Sequence, residues 1–200
     1  MDGILVVNKP ENYTSHDIVY RVKKVLNEKI GHTGTLDPLA TGVLPLLVGK
    51  GTKISKYLIN HDKVYEAEIK LGVKTDTLDR EGKVLEERYV NRVEESQVSD
   101  TLAKFIGKQK QIPPIYSAIK LNGKKLYEYA REGKTVDIPE REIEIYDIKL
   151  RFINEKENII GITVHSSKGT YIRTLCQDIA TKLGTIGYMY SLNRIKVRGI

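Results

Sequence analysis

One stretch of this sequence concentrates the residue types from which a reactive centre could be built. From Gly31 to Gly42 it reads Gly-His-Thr-Gly-Thr-Leu-Asp-Pro-Leu-Ala-Thr-Gly, setting three glycines and Pro38 around a single carboxylate, Asp37. Glycine reaches backbone conformations closed to other residues and proline fixes φ, so such a run holds one particular path. A carboxylate on that path has two uses. It can bond nearby backbone amides as a turn former, or it can act as a nucleophile that forms and later releases a covalent bond to an electrophilic carbon. The residues alone leave both open, although long ordered loops in compact domains lean towards function.

Other chemistries find less support. Gly49-Lys50 is followed by Gly51 rather than Ser or Thr, and Leu44 stands where a phosphate loop needs its leading glycine. The four histidines, His16, His32, His61 and His165, are scattered, and the single Cys176 can build neither a thiolate zinc site nor an intramolecular disulfide. Neither a metal ion nor an organic cofactor is expected. No apolar run approaches the roughly 20 residues of a membrane-spanning helix, and Met1 leads straight into a strand-like run without a basic leader. A cytoplasmic protein without membrane contact is the expectation.

The 200 residues fit one domain with a small insertion. The net charge of +7 and pI near 9.3 favour a polyanionic partner such as nucleic acid. Its distribution is sharper than its sum: Lys108 to Lys134 holds seven basic and two acidic residues, and Ser166 to Ile200 holds six and one. Solubility does not require such clustering, whereas a phosphate-tracking surface does.

The elements that must position Asp37 follow from periodicity. Gly3 to Val7 reads as a short buried strand, and Thr14-Ser15-His16-Asp17 as the start of a helix carrying Ile18, Val22, Val25 and Leu26 on one face and ending near Asn27. Ile30 to Pro45 reads as one long loop. Tyr65, Ala67, Ile69 and Leu71 alternate with Glu66, Glu68 and Lys70 as a strand with one wet face. Val98, Leu102, Phe105 and Ile106 predict a helix capped by Gly107. Asn122-Gly123 predicts a two-residue turn, followed by a short helix from Leu126 to Glu132. A change of phase between Ile143/Ile145 and Ile148/Leu150/Phe152 predicts a strand with a bulge near Tyr146-Asp147, with Ile160 to Val164 as the next strand. Thr170 is read as the cap of a helix that bears Ile172, Leu175, Cys176, Ile179 and Leu183, and Gly187 to Val197 as a final strand. Strands and helices interleave without a βαβ rhythm, which predicts an α+β fold around a central mixed, mainly antiparallel sheet.

The Gly31–Gly42 segment closely resembles the signature loop of the TruB-type tRNA pseudouridine-55 synthases. The resemblance extends to Gly3-Ile4-Leu5-Val6-Val7-Asn8-Lys9-Pro10, to Lys63-Val64-Tyr65 with Thr75-Asp76-Thr77-Leu78-Asp79, and to Lys168-Gly169-Thr170-Tyr171-Ile172-Arg173-Thr174. Ile112 to Lys120 and Gly123 to Arg131 are similar to the insertion that grips the tRNA arm, expected here over about residues 108–140. Two departures stand out. The family's Gly-x-Phe ending appears as Arg198-Gly199-Ile200, and its usual C-terminal PUA domain has no counterpart.

The resemblance implies that a specific uridine of the tRNA T arm is flipped out and isomerised by a monomeric enzyme. It makes Asp37 the nucleophile, Arg173 the cation that holds it, and Tyr65 a ring that stacks on the uracil and takes part in deprotonation at C5. Attack at C6, attack at C1′ and elimination all remain open. His32 would fill the vacated space and Leu192 would line the pocket. Lys63, Tyr116, Lys120, Lys124, Lys125, Arg131 and Tyr171 would contact RNA. Two rival readings, a non-catalytic tRNA-binding or chaperoning protein and a guide-RNA-dependent synthase subunit, share the basic segments. The set Asp37, Tyr65 and Arg173 weighs against the first, and the Lys120 to Arg131 stretch against the second.

Overall fold

The alternation from Tyr65 to Leu71 forms the spine of the molecule. In the computed structural model, which describes residues 1–58 and 60–199, every second side chain of the strand Lys63–Leu71 is buried. In chain order the elements are β1 (Gly3–Lys9), α1 (Ser15–Leu26), β2 (Ile30–His32), β3 (Thr41–Val48), α2 (Ser55–Leu58), β4 (Lys63–Leu71), β5 (Val73–Thr75), β6 (Val84–Glu87) and α3 (Glu95–Ala103). There follow β7 (Gly107–Gln111), β8 (Lys120–Leu121), β9 (Lys124–Lys125), α4 (Leu126–Arg131), β10 (Arg141–Asn154), β11 (Ile159–Ser166), α5 (Ile172–Lys182) and β12 (Gly187–Val197).

Eight strands build the main sheet in the order β1-β3-β12-β4-β11-β10-β7, with β2 added beside β3. The pairings are antiparallel except β12 on β3, which runs parallel over Asn193 opposite Thr41 and Arg194 opposite Gly42. This is the mixed, mainly antiparallel sheet of an α+β fold. The last strand in sequence therefore lies inside the sheet and joins its two halves. One core runs through Leu44, Leu46, Ile69, Ile145, Ile160 and Val164 of the sheet and Leu175, Cys176 and Ile179 of α5.

Several local expectations hold for the physical reasons given. Thr14 and Asp17 exchange the two hydrogen bonds of a capping box, and Asn27 closes α1 in a left-handed conformation. Asn122 and Gly123 both take positive φ and join β8 to β9. The register of β10 shifts between Ile145 and Asp147, with a second shift between Leu150 and Phe152.

Others are corrected. β1 is an edge strand rather than a buried one, and Ile4, Leu5 and Val6 are exposed because a single neighbour, β3, covers them. Val25 faces solvent at 82% exposure, so the buried stripe of α1 is narrower than its apolar spacing implied. The supposed loop from Ile30 to Pro45 is a hairpin-like pair, β2 and β3, with the irregular path confined to 33–40. Gly107 does not cap α3, which ends at Ala103; it opens β7. β7, over Gly107–Gln111, belongs to the main sheet through its pairing with β10. Tyr171, not Thr170, is the cap of α5, and the Thr170 hydroxyl donates to the Ser167 carbonyl at 3.0 Å. Ile200, which completes the variant ending, lies outside the described residues.

The crossing of β12 over β3 depends on Gly42. Its φ is +108°, and a Cβ there would lie 2.2 Å from the Arg194 carbonyl oxygen and 2.5 Å from the Asn193 side chain. At Gly123 φ is +81° and a Cβ would have no atom within 4 Å of it, so only the left-handed backbone penalises a side chain. Gly42→Ala is expected to cost roughly 2–4 kcal/mol of stability, and Gly123→Ala about 1–2 kcal/mol. Urea unfolding followed by circular dichroism measures both, and equal costs would contradict the close-approach account.

Candidate active site

Asp37 is held out of the core by the burial of its neighbours. Leu36, Leu39 and Ala40 are 3%, 1% and 0% exposed, so the loop is pulled down onto the core while the carboxylate between them keeps 39% of its side-chain surface open. Polar contacts fix the same path. The Leu36 amide donates to the Ser15 hydroxyl at 2.8 Å and the Asn12 amide to the Pro38 carbonyl at 2.8 Å. The Ala40 amide donates back to the Asp37 carbonyl at 3.0 Å. Lys9, with no exposed surface, donates from Nζ to the carbonyls of Pro10, Tyr13 and Pro38 at 2.8, 2.6 and 3.2 Å. Burial lowers its pKa, and Asp37 is the strongest of the charges opposing that shift.

Arg173 reaches the carboxylate from the first turn of α5, 3.2 Å from Nε to Asp37 Oδ2. Its side chain is only 7% exposed. A helix N-terminus is an unfavourable place for a cation, and burial adds a desolvation cost. The guanidinium fork offsets both by donating to the Thr77 carbonyl at 3.3 Å and the Tyr116 carbonyl at 3.0 Å while it pairs ionically with Asp37. Leu78, which follows Thr77, has φ +64°. A non-glycine residue in that region carries strain, and here it sits where the chain turns Thr77 towards Arg173.

Tyr65 lies on the buried phase of β4, 8% exposed, directly across from Arg194 of β12. Burial raises its phenol pKa and Asp37 adds to the rise, while Arg194 pulls the other way by charge and hydrogen bonding. Leu192, on the same face of β12 two residues earlier, is 8% exposed opposite Ala67. Asp37, Arg173, Tyr65 and Leu192 therefore come from the β2–β3 loop, α5, β4 and β12, and the sheet brings them to one end of the molecule.

The remaining expected residues divide. His32 ends β2, half-buried, its Nδ1 accepting from the Gly34 amide at 3.4 Å; burial and then Arg194 lower its pKa. Tyr116 reaches the centre through its backbone carbonyl. Tyr171 is tied by backbone bonds to the Gln111 side chain, at 2.8 and 3.1 Å, and burial raises its phenol pKa. Lys63 is 8% exposed and donates to the His61 carbonyl at 2.6 Å. Burial, with Arg194 beside it, lowers the Lys63 pKa to about 8. Its ammonium is turned inward, onto the His61 carbonyl. Lys120 is exposed, whereas Lys124 lies over the Tyr129 ring and pairs with Glu132, and Lys125 and Arg131 both lie over Tyr127, at 5.4 and 5.0 Å from the ring centroid.

Two groups escaped the reading of the sequence. Lys9 is one, and Arg194, at 1% exposure, is the other. A signal for Arg194 existed: it shares the phase of Leu192 along β12, so a strand with Leu192 inward also carries the guanidinium inward. Among the described residues no group of three or more His, Cys, Asp or Glu is arranged to hold a metal ion, and no helix is long and apolar enough to cross a membrane.

Comparison with known proteins agrees with this geometry. The chain is 48% identical over 98% of its length to tRNA pseudouridine synthase B of Oceanobacillus iheyensis, covering 65% of that protein. It is 50% identical over 98% of its length to the protein of that name from Clostridium novyi, covering 67% of it. It therefore spans about two thirds of the length of these curated relatives. Among solved structures, a crystal structure of a Cbf5-Nop10-Gar1 complex contains a chain that matches with a TM-score of 0.75 and 30% identity, over 98% of this chain and 48% of that one. An H/ACA RNP bound to a substrate RNA containing 2′-deoxyuridine matches with a TM-score of 0.71 and 28% identity, over 98% and 47%. Residues 22–172, which include Asp37, Tyr65 and most strands of the main sheet, match the family described as TruB family pseudouridylate synthase (N terminal domain), and the chain belongs to that family.

Proposed function

We propose that this chain is the catalytic domain of a tRNA pseudouridine synthase that isomerises the uridine at position 55, in the T arm, acting as a monomer in the cytoplasm. The observation that carries the reading is the pair Asp37–Arg173, a partly open carboxylate held at 3.2 Å by a buried guanidinium in a loop that fixes its direction. Relatives bearing the name tRNA pseudouridine synthase B, at 48–50% identity, support the substrate class. Because the matched chains of the Cbf5-Nop10-Gar1 complex and the H/ACA RNP are more distant, at 28–30% identity, a stand-alone enzyme is favoured over a guide-dependent subunit.

The chemistry balances without an external reagent. The C1′–N1 bond breaks, a C1′–C5 bond forms, C5 loses a proton and N1 gains one. Asp37 acts as the nucleophile, aimed by Arg173. Tyr65 stacks on the uracil and its oxygen takes the C5 proton. His32 fills the space left by the flipped nucleotide, whose unstacking costs about a few kcal/mol, and Leu192 walls the pocket. The segment over about residues 108–140 grips the RNA, with Lys120, Lys124, Lys125 and Arg131 on its phosphates and Tyr116 and Tyr171 at the mouth of the site.

Asp37→Asn is expected to fold and to bind tRNA within about threefold of the parent while its single-turnover rate falls by at least about 10³-fold, since the amide keeps the shape and loses the nucleophile. Mass spectrometry of tRNA after incubation reads the product, and appreciable pseudouridine from this variant would sink the assignment. A second expectation concerns the grip. Changing Lys120, Lys124, Lys125 and Arg131 together to Ala should weaken tRNA binding and flatten its log-log salt dependence by about 0.7–0.9 for each phosphate that is no longer neutralised. An unchanged slope in filter-binding titrations at several salt concentrations would refute that set of RNA-gripping residues.

A further inference from the structure

Arg194 is a fully buried cation whose role in the reaction remains open. Among the described residues no carboxylate lies within ion-pair distance of it, in contrast to Arg173. Instead its Nε donates to the Val43 carbonyl at 2.8 Å and a terminal nitrogen donates to the Gly34 carbonyl at 3.2 Å. Those two carbonyls flank the loop that carries Asp37, one before it and one after. Arg194 also stands directly opposite Tyr65 in the register of β12 and β4, both residues are buried, and the guanidinium charge acts on the phenol. The backbone holds the group there from both sides, since Arg194 pairs with Gly42 of β3 and with Tyr65 of β4.

A buried charge without a counter-ion is expensive, and proteins retain one where it does something specific. Two carbonyls use two of its five donors. The group still lacking is an anion, and the one side chain facing it that can become an anion is Tyr65. The other charged or titratable neighbours are His32 of β2 and Lys63 of β4, whose pKa values Arg194 lowers. On the far side of Tyr65 lies Asp37, whose negative charge opposes ionisation of the phenol.

We propose that Arg194 is a positioning residue: it locks both ends of the Asp37 loop and supplies the counter-charge for the oxygen of Tyr65 when that phenol is ionised. The inference rests on the reading of Tyr65 as the base at C5. In that step the phenol has already released its proton to solvent. The C5–H bond then breaks and the proton passes to the Tyr65 oxygen, while the C–H electron pair closes the C5=C6 double bond and displaces a pair from C6, either the C6=N1 π pair to N1, which is protonated, or, where Asp37 had added at C6, the C6–O pair back to the carboxylate. Burial and Asp37 both work against the phenolate this requires, and the fixed positive charge of Arg194 offsets them.

A direct test places 3-fluorotyrosine at position 65 and follows its fluorine resonance against pH, which reads the phenol without turnover. Arg194→Gln removes the charge. As this variant can fail to fold, citrulline at position 194, introduced by joining a synthetic segment at Cys176, keeps the shape and three of the five N–H donors, enough for the Val43 and Gly34 carbonyls, while removing the charge as well. The phenol midpoint is expected to rise by about one unit or more in either protein. The single-turnover rate at neutral pH should fall by about tenfold or more, with its pH profile displaced by the same amount and tRNA affinity within about threefold. An unmoved fluorine midpoint in the citrulline protein overturns the proposal whatever happens to the rate, because loss of packing alone does not spare the phenol's acidity. If the parent chain forms no pseudouridine, the functional reading fails separately, while the titration still judges the pairing of Arg194 with Tyr65.

Discussion

Two guanidinium groups buried on either side of one loop are the constraint around which this molecule is arranged. Taking a charge of that size out of water costs several kcal/mol even after relaxation, and Arg173 and Arg194 are 6% and 1% exposed. Each must therefore find hydrogen-bond acceptors where it lies. Arg173 takes the carbonyls of Thr77 and Tyr116 and adds an ion pair with Asp37. Arg194 takes the carbonyls of Gly34 and Val43. The acceptors come from segments far apart in the chain, so satisfying two cations ties together α5, β12, the β2–β3 loop and the stretch after β5. Rigidity at the loop follows from electrostatics as much as from apolar packing.

Lys9 works in the same way from the opposite side. Its ammonium collects three carbonyls, one of them belonging to the residue after Asp37. The carboxylate is thus the partly open member of a group in which positive charges lie below and around it. Preset dipoles and charges of this kind need not reorganise around the group they surround.

Much of the fold is readable from sequence because it rests on local rules. The alternation of β4, the capping box of α1 and the Asn122-Gly123 turn each depend on residues within a few positions of one another. What is not readable depends on partners distant in sequence. The exposure of Val25 and of β1 is decided by which elements arrive to cover them, not by the apolar character of Ile4, Leu5 or Val6. Gly107 sits where a helix cap would go, yet its positive φ serves the strand after it. For the site, Asp37 is legible through the glycines and proline around it, and Arg173 and Tyr65 through a family resemblance. Arg194 and Lys9 are not, since a basic residue in a strand looks like a surface residue until its phase is matched against a neighbour.

The place of β12 in the sheet also bears on how the domain comes into being. β1, β2 and β3 can pair as soon as residue 48 is made, and β4, β11 and β10 once residue 166 is made. No strand pairing joins these two halves of the sheet until residues 187–197 insert between β3 and β4. Contacts of such long sequence separation form late and slowly. During synthesis the carboxylate loop and the tyrosine strand would therefore exist as separate subassemblies, each with an open sheet edge, and would come together in one concerted closing step.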